Sequence, residues 1–358
     1  MELFNTPAPE ESEDCLFVNV FAPATPATGK GRAVLVWIYG GGLYFGHAGH
    51  PVYDGSHFAA YEDVIVVAAN YRLNGSYSSA KRNLCMPTNL NMLAFGFINS
   101  PELPPQNRNL GFLDQRFALE WVQRNIHAFG GDPAKVTVFG ESAGAFSIDA
   151  LLTSYPKASN PPFRAAILQS GQISYRGNPS PGEVYPDGRP SWDALAAALN
   201  CTGQSNLTCI SAAPATTIKD IIEKQTLIFN PTVDNHTYLA NLALARTSGN
   251  TAQIPLLSGT VADEGRSLTI GQNNITAYRQ NVLGPDASPE LVAAITAAYP
   301  VGGAEFPTDF DAIAEMETYV SFQCGAALVA NDTADLGVPS WRYFVSLLYI
   351  PGSSKATM

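Results

Sequence analysis

The stretch "KVTVFGESAGAFSIDALL", Lys135 to Leu152, decides how this chain is read. "KVTVFG" is a β-branched run of strand character, and Ala143 to Leu152 has the composition of a helix. One serine, Ser142, stands between them, flanked by Gly140 and Gly144. G-x-S-x-G alone is a weak signal, since roughly one chain of this length in eight carries it at average Gly and Ser usage. The strand before it and the helix after it change its meaning. A sharp strand-to-helix turn holds a serine in a strained conformation with its hydroxyl exposed. Gly at the flanks avoids a Cβ that would crowd the turn. The helix N-terminus then lies under a reacting carbonyl, where the Ala143 N–H can donate to a developing oxyanion.

Working outward, "AVLVWIY", Ala33 to Tyr39, is a continuous apolar run ending in Gly40, Gly41 and Gly42. It reads as a buried strand entering a loop whose N–H groups can approach an anionic oxygen, so Gly41 and Gly42 are oxyanion-hole candidates beside Ala143. A Rossmann-like phosphate loop is the rival, but no G-x-G-x-x-G follows either strand in register, and no cofactor or metal is expected. "VIVVAANY", Val64 to Tyr71, is a second buried strand. "GFLDQRFALEWVQRNIHAFGG" is a helix that stops at Gly130-Gly131, and "RAAILQSG", "IPLLSGT" and "WRYFVSLLY" are later strands. Asp193 to Asn250 reads as helical and connecting. The alternation predicts one α/β domain over residues 1–358, a mostly parallel sheet covered by helices on both faces.

Composition excludes several functions. Of 358 residues, 20 are Lys or Arg and 31 are Asp or Glu, giving a net charge of −11 without a basic run. Nucleic acid and anionic membrane surfaces are therefore not expected as partners. No apolar run approaches the roughly 18 residues of a membrane span. The opening "MELFNTPAPEESEDC" has neither a basic n-region nor an apolar h-region and does not read as a signal peptide. Yet six N-x-[ST] sequons start at Asn74, Asn200, Asn206, Asn235, Asn274 and Asn331. Chance gives about two at average usage. Cys201 and Cys209, in "NCTGQSNLTC", sit close enough for a local disulfide, which fits an oxidising compartment.

Taken together, "SEDCLFVNVFAP", "WIYGGGLYFG", "NYRLN", "NLGFLDQRFALEWVQRNIHAFGGDPAKVTVFGESAGA", "FRAAILQSG" and "IPLLSGTVADEG" resemble the type-B carboxylesterases, the α/β-hydrolase branch that includes cholinesterases and fungal lipases. The resemblance implies an α/β-hydrolase fold and hydrolysis of small-molecule or lipid esters by a secreted enzyme through an acyl-enzyme on Ser142. It implies an oxyanion hole from Gly41, Gly42 and Ala143, and Glu264 of "TVADEGRS" as the triad acid. Asp263 is the neighbouring rival. Glu264 follows the strand "IPLLSGT", in the hydrolase order of serine before acid. The resemblance also implies an internal ion pair between Arg72 and Asp114, a Cys201–Cys209 disulfide, and a site floor that includes Glu141 and Ser170.

The departures shape the remaining expectations. A serine hydroxyl needs a general base, and the hydrolase order places a histidine after the acid. His47, His50, His57, His127 and His236 all precede Glu264. The triad histidine is therefore expected to be missing from this chain, which reads as cut at both ends with its C-terminal part absent. Cys15 and Glu13 are expected to lack the partners that the family's opening segment supplies, and Cys324 to have lost one downstream. "GSYSSAKRNLCMPTNLNM", Gly75 to Met92, holds the odd Cys85 and reads as an insertion or a translated intron. Two functions stand: an ester hydrolase, and a non-catalytic esterase-like binding protein or inactive fragment.

Overall fold

The computed structural model describes residues 14–73, 96–175, 190–201 and 205–346. Residues 75–92 lie outside the described residues. Seven strands form one sheet: β1 (Val18–Phe21), β2 (Arg32–Ile38), β3 (Ile65–Ala69), β4 (Gly131–Glu141), β5 (Ala165–Gln169), β6 (Leu256–Val261) and β7 (Ser340–Val345). Their order is β1-β3-β2-β4-β5-β6-β7, and every neighbouring pair is parallel except β1 with β3. Twelve helices are described: α1 (Ser56–Glu62), α2 (Leu110–Asn125), α3 (Ala143–Ser154), α4 (Ser191–Ala198), α5 (Asn206–Ser211), α6 (Ala215–Gln225), α7 (Leu242–Thr247), α8 (Glu264–Leu268), α9 (Ile275–Leu283), α10 (Pro289–Ala298), α11 (Asp309–Thr318) and α12 (Cys324–Asp335). A π-helical turn, Tyr319–Gln323, joins the last two. None of them is long and apolar enough to cross a membrane.

The apolar runs make strands for the expected reason. Ile65, Val66, Val67 and Ala68 of β3 are all buried, as continuous runs must be in a sheet covered on both faces. Val34, Val36 and Ile38 of β2 point into the main core with Val136, Val138, Ile148 and Leu168. Each such side chain contributes about 1.5–3 kcal/mol of transfer free energy. The chain runs from β2 through α1 to β3 on one side, then through α2 to β4 on the other side of β2. Right-handed crossovers therefore place α1 on one face, and α2 and α3 on the opposite face. The Gln115 side-chain amide donates to the Ser147 hydroxyl at 3.0 Å, tying α2 to α3 on that face.

Some boundaries differ from the expectation. The helix of "GFLDQRFALEWVQRNIHAFGG" ends at Asn125, passes into a 3₁₀ turn over Ile126–Phe129, and is closed by Gly130 at φ 82°. β4 then begins at Gly131, four residues ahead of "KVTVFG", because Gly131 pairs with Arg32 across the sheet. β1 carries only four residues, too few to announce a strand by alternation.

A satellite core built from Trp192, Leu195, Leu207, Ile210, Ile222 and Phe229 holds α4, α5 and α6 together. The expected disulfide is there: Cys201 and Cys209 are bonded, with Cα atoms 5.7 Å apart. Cys324 is an exposed free thiol. One cysteine expectation is overturned. Cys15 is disulfide-bonded rather than left without a partner. The expected ion pair forms: Arg72 and Asp114 make two 2.6 Å bonds, and the Arg72 N–H adds a third at 3.0 Å. With both side chains largely buried, this pair locks the chain leaving β3 onto α2.

Candidate active site

In a parallel sheet, ligands bind outside the carboxyl ends of the strands, where the strand order reverses. Here that point lies between β2 and β4. Gly40 to Gly42 leave the end of β2 there, and Ser142 leaves the end of β4.

Ser142 has φ 53° and ψ −120°, a conformation that side chains rarely adopt. Its surroundings over-determine it. The Ser142 N–H donates to the Gln169 carbonyl at 2.9 Å, and the Phe146 N–H donates to the Ser142 carbonyl at 3.0 Å. A Cβ on Gly144 would lie 2.0 Å from the Ile38 carbonyl oxygen, and one on Gly140 would lie 2.6 Å from the same atom. The two glycines thus let the turn press against the end of β2. Ala143 is the first residue of α3, so its N–H points out of the helix terminus.

The glycine loop is wound tightly. The Gly41 carbonyl accepts from Tyr44 and Phe45 N–H groups at 3.0 and 3.1 Å. Gly41 and Gly42 have φ of 107° and 65°, and a Cβ on Gly41 would lie 2.1 Å from the Phe45 carbonyl oxygen. Two contacts hold the loop that no sequence signal announced. Tyr39 and Tyr71, at the ends of β2 and β3, clasp each other: the Tyr39 hydroxyl donates to the Tyr71 carbonyl at 3.1 Å, and the Tyr71 hydroxyl to the Tyr39 carbonyl at 2.8 Å. Burial raises both phenols far above the usual range, so they stay protonated donors. The Tyr44 hydroxyl donates to Asn230 at 3.0 Å, linking the loop to the satellite core.

Acidic groups gather beside the serine. A Cβ on Gly40 would stand 3.0 Å from Ser142 Cβ and 2.8 Å from Glu141 Oε2, which brings Glu141 and the serine to one glycine. Glu264 opens α8, and its Oε1 accepts from the Val261 N–H at 2.9 Å. Burial raises its pKa, while hydrogen bonds from Val261 and the Ser170 hydroxyl pull it back. Glu141 keeps exposed surface, yet the carboxyl loses hydration in the cleft, and this first and the Glu264 charge second push it up to about 7. Two carboxyls in one cleft resist double ionisation. Tyr53 is raised to about 12 by burial and then by Glu141. Tyr343 on β7 is raised by burial and, secondarily, by Glu264 and Glu141, against a hydrogen bond with Gln169. Burial first, and the charge of Asp263, the rival acid, second, raise the Glu315 carboxyl.

The histidines are spread out. His127 lies in the 3₁₀ turn ahead of β4, a strand's length of roughly 30 Å from Ser142. His57, on α1, stacks on Tyr61 at 5.7 Å. His236 gives its carbonyl to Arg116 at 3.0 Å. His47 and His50 follow the glycine loop with ring centroids 5.8 Å apart. Burial, then His50, lowers the His47 pKa. His50 Nδ1 accepts from the Val52 N–H at 3.2 Å.

The fold and this cleft define the class. The chain belongs to the carboxylesterase family, whose model matches residues 2–81 and 89–347. Among curated proteins it is similar to the para-nitrobenzyl esterase of Bacillus subtilis (strain 168), 40% identical over 74% of this chain and 50% of that protein. It is also similar to the acetylcholinesterase of Electrophorus electricus, 36% identical over 71% of this chain and 38% of that protein. Secreted lipase 1 of Botryotinia fuckeliana (strain B05.10) is 30% identical over 97% of this chain and 64% of that protein. The chain thus spans between 38% and 64% of the length of these relatives.

Proposed function

We propose that this chain is a carboxylic ester hydrolase acting on small-molecule or lipid esters outside the cell. Ser142 Oγ attacks the ester carbonyl carbon, the alcohol leaves, and water releases the acid from the Ser142 acyl-enzyme. The N–H groups of Gly41, Gly42 and Ala143 stabilise the tetrahedral oxyanion, and Glu264 is the triad acid. The observation that carries this reading is the positive-φ serine, half-buried at the strand-to-helix turn beside the switch point. The family membership, an esterase and a lipase among the relatives, and the disulfide support the substrate class and the location.

A second reading, a non-catalytic binding protein, draws on one observation: all five histidines precede Glu264. The test is p-nitrophenyl acetate and butyrate hydrolysis by this chain and by Ser142→Ala. The hydrolase reading expects slow release that depends on Ser142, at the ~10³–10⁴-fold level over water that an oxyanion hole and binding supply without a full triad. Release equal to that of Ser142→Ala supports the binding reading. Turnover at the rate of a complete triad shows that an upstream histidine or another group serves as base.

A further inference from the structure

Two sequons share a geometry that suits them to hold a sugar. We propose that Asn235 and Asn274 carry N-linked oligosaccharides, an inference that rests on export of the chain and not on the ester reading. Both side chains are exposed. At Asn274 the carboxamide oxygen caps α9, accepting from the Ala277 N–H at 3.0 Å. At Asn235 it accepts from the Ala240 N–H at 3.2 Å, closing a turn in which Asn235 has φ 53°. An N–H donor can meet only the oxygen of an amide, so each bond fixes which way the carboxamide faces. Nδ2 is then the outward atom at both sites.

That orientation matters because the glycosidic bond forms on Nδ2. In the transfer, Nδ2 attacks the anomeric carbon of a lipid-pyrophosphate-linked oligosaccharide. The carbon–oxygen bond to pyrophosphate breaks, the lipid pyrophosphate departs, and one Nδ2 proton goes to a base of the transferase. Oδ1 takes no part, so the α9 cap and the Asn235 turn survive the modification. The sequon partners fit as well. Ile275 anchors the Asn274 site in a small core while Thr276 stays exposed. Thr237 is buried, its hydroxyl donating to Asp234 at 2.6 Å and accepting from Asn109 at 2.9 Å. The Asn235 transfer therefore precedes closure of that turn. Asn206 differs: it is half-buried in the first turn of α5.

The test directs the full chain into the yeast secretory pathway with an added leader, and reads either the secreted protein or the material retained in the endoplasmic reticulum. Peptides are released with peptide N-glycosidase in heavy-oxygen water, which marks each formerly glycosylated asparagine. Asn235→Asp and Asn274→Asp keep the acceptor oxygen and remove the nitrogen. The proposal expects heavy-oxygen label at both positions, and loss of one glycan in each variant without a change in melting temperature beyond that of the deglycosylated parent. Absence of label at either asparagine overturns the assignment for that site. A glycan count that either Asp variant leaves unchanged does the same.

Discussion

Replacing Gly144 by alanine tests why the fold requires glycine beside Ser142. The added Cβ would stand 2.0 Å from the Ile38 carbonyl oxygen, 2.8 Å from the Ile38 carbonyl carbon and 3.0 Å from the Tyr39 carbonyl oxygen. Ordinary contact begins near 3.4 Å, so α3 must retreat from β2 by about 1.4 Å along that direction. All three obstacles are backbone, and β2 is held in register with β4, Ile38 facing Gly140. No side chain can rotate aside. Overpacking costs about 1–3 kcal/mol where side chains adapt, so this site belongs at the top of that range or above it. Alanine recovers up to ~1 kcal/mol as a better helix former. The net expected loss is about 2 kcal/mol or more, measured by urea unfolding with the m-value checked for constancy. Gly303→Ala is the control, since a Cβ there meets only the Pro300 carbonyl oxygen, at 3.8 Å. It should shift stability by no more than about 0.5 kcal/mol. Equal effects at the two sites would refute the steric account of the motif.

Other expectations follow from the same contacts. Asp149 is fully buried, accepts from the Ile173 and Ser174 N–H groups at 2.8 and 2.7 Å, and pairs with the buried Arg246. Asp149→Ala leaves that guanidinium and two N–H groups without their acceptor, so a loss of about 3–5 kcal/mol is expected in urea unfolding; a loss below about 1 kcal/mol would contradict it. The raised Glu141 carboxyl sets a pH dependence. Its folded pKa of about 7 lies above the usual range of a glutamate, so the folded state holds the proton more tightly. Its contribution to stability is then greatest at low pH and declines as pH rises through that window. Glu141→Gln should therefore gain in melting temperature relative to the parent at pH 8 and match it at pH 4; a constant difference across that range would rule out the titration.

The central strands and the elbow were legible because continuous apolar runs and G-x-S-x-G carry local signals. The Arg72–Asp114 pair was legible only through family resemblance, whereas the close spacing of Cys201 and Cys209 already pointed to a local disulfide. The supports of the site were not legible at all. The Tyr39–Tyr71 clasp joins residues 32 apart, and Tyr44 reaches Asn230 across 186 positions. Nothing local marks a tyrosine as a partner in such a bond. Tyr343 lay inside an apolar run that read as strand, and its place near Glu264 and Glu141 follows only from the β6–β7 pairing. β1 and the early start of β4 were hidden because sheet pairing, not propensity, sets their limits. The bond at Cys15 was not legible because a sequence pattern does not fix a long-range partner.

Covalent trapping tests most directly whether Ser142 is the nucleophile. The chain and Ser142→Ala are incubated with excess fluorophosphonate, and the adduct is located by peptide mass spectrometry. A nucleophilic Ser142 gives slow labelling confined to that residue and lost in the variant. Labelling that is spread over other serines, or that persists unchanged in Ser142→Ala, would contradict it.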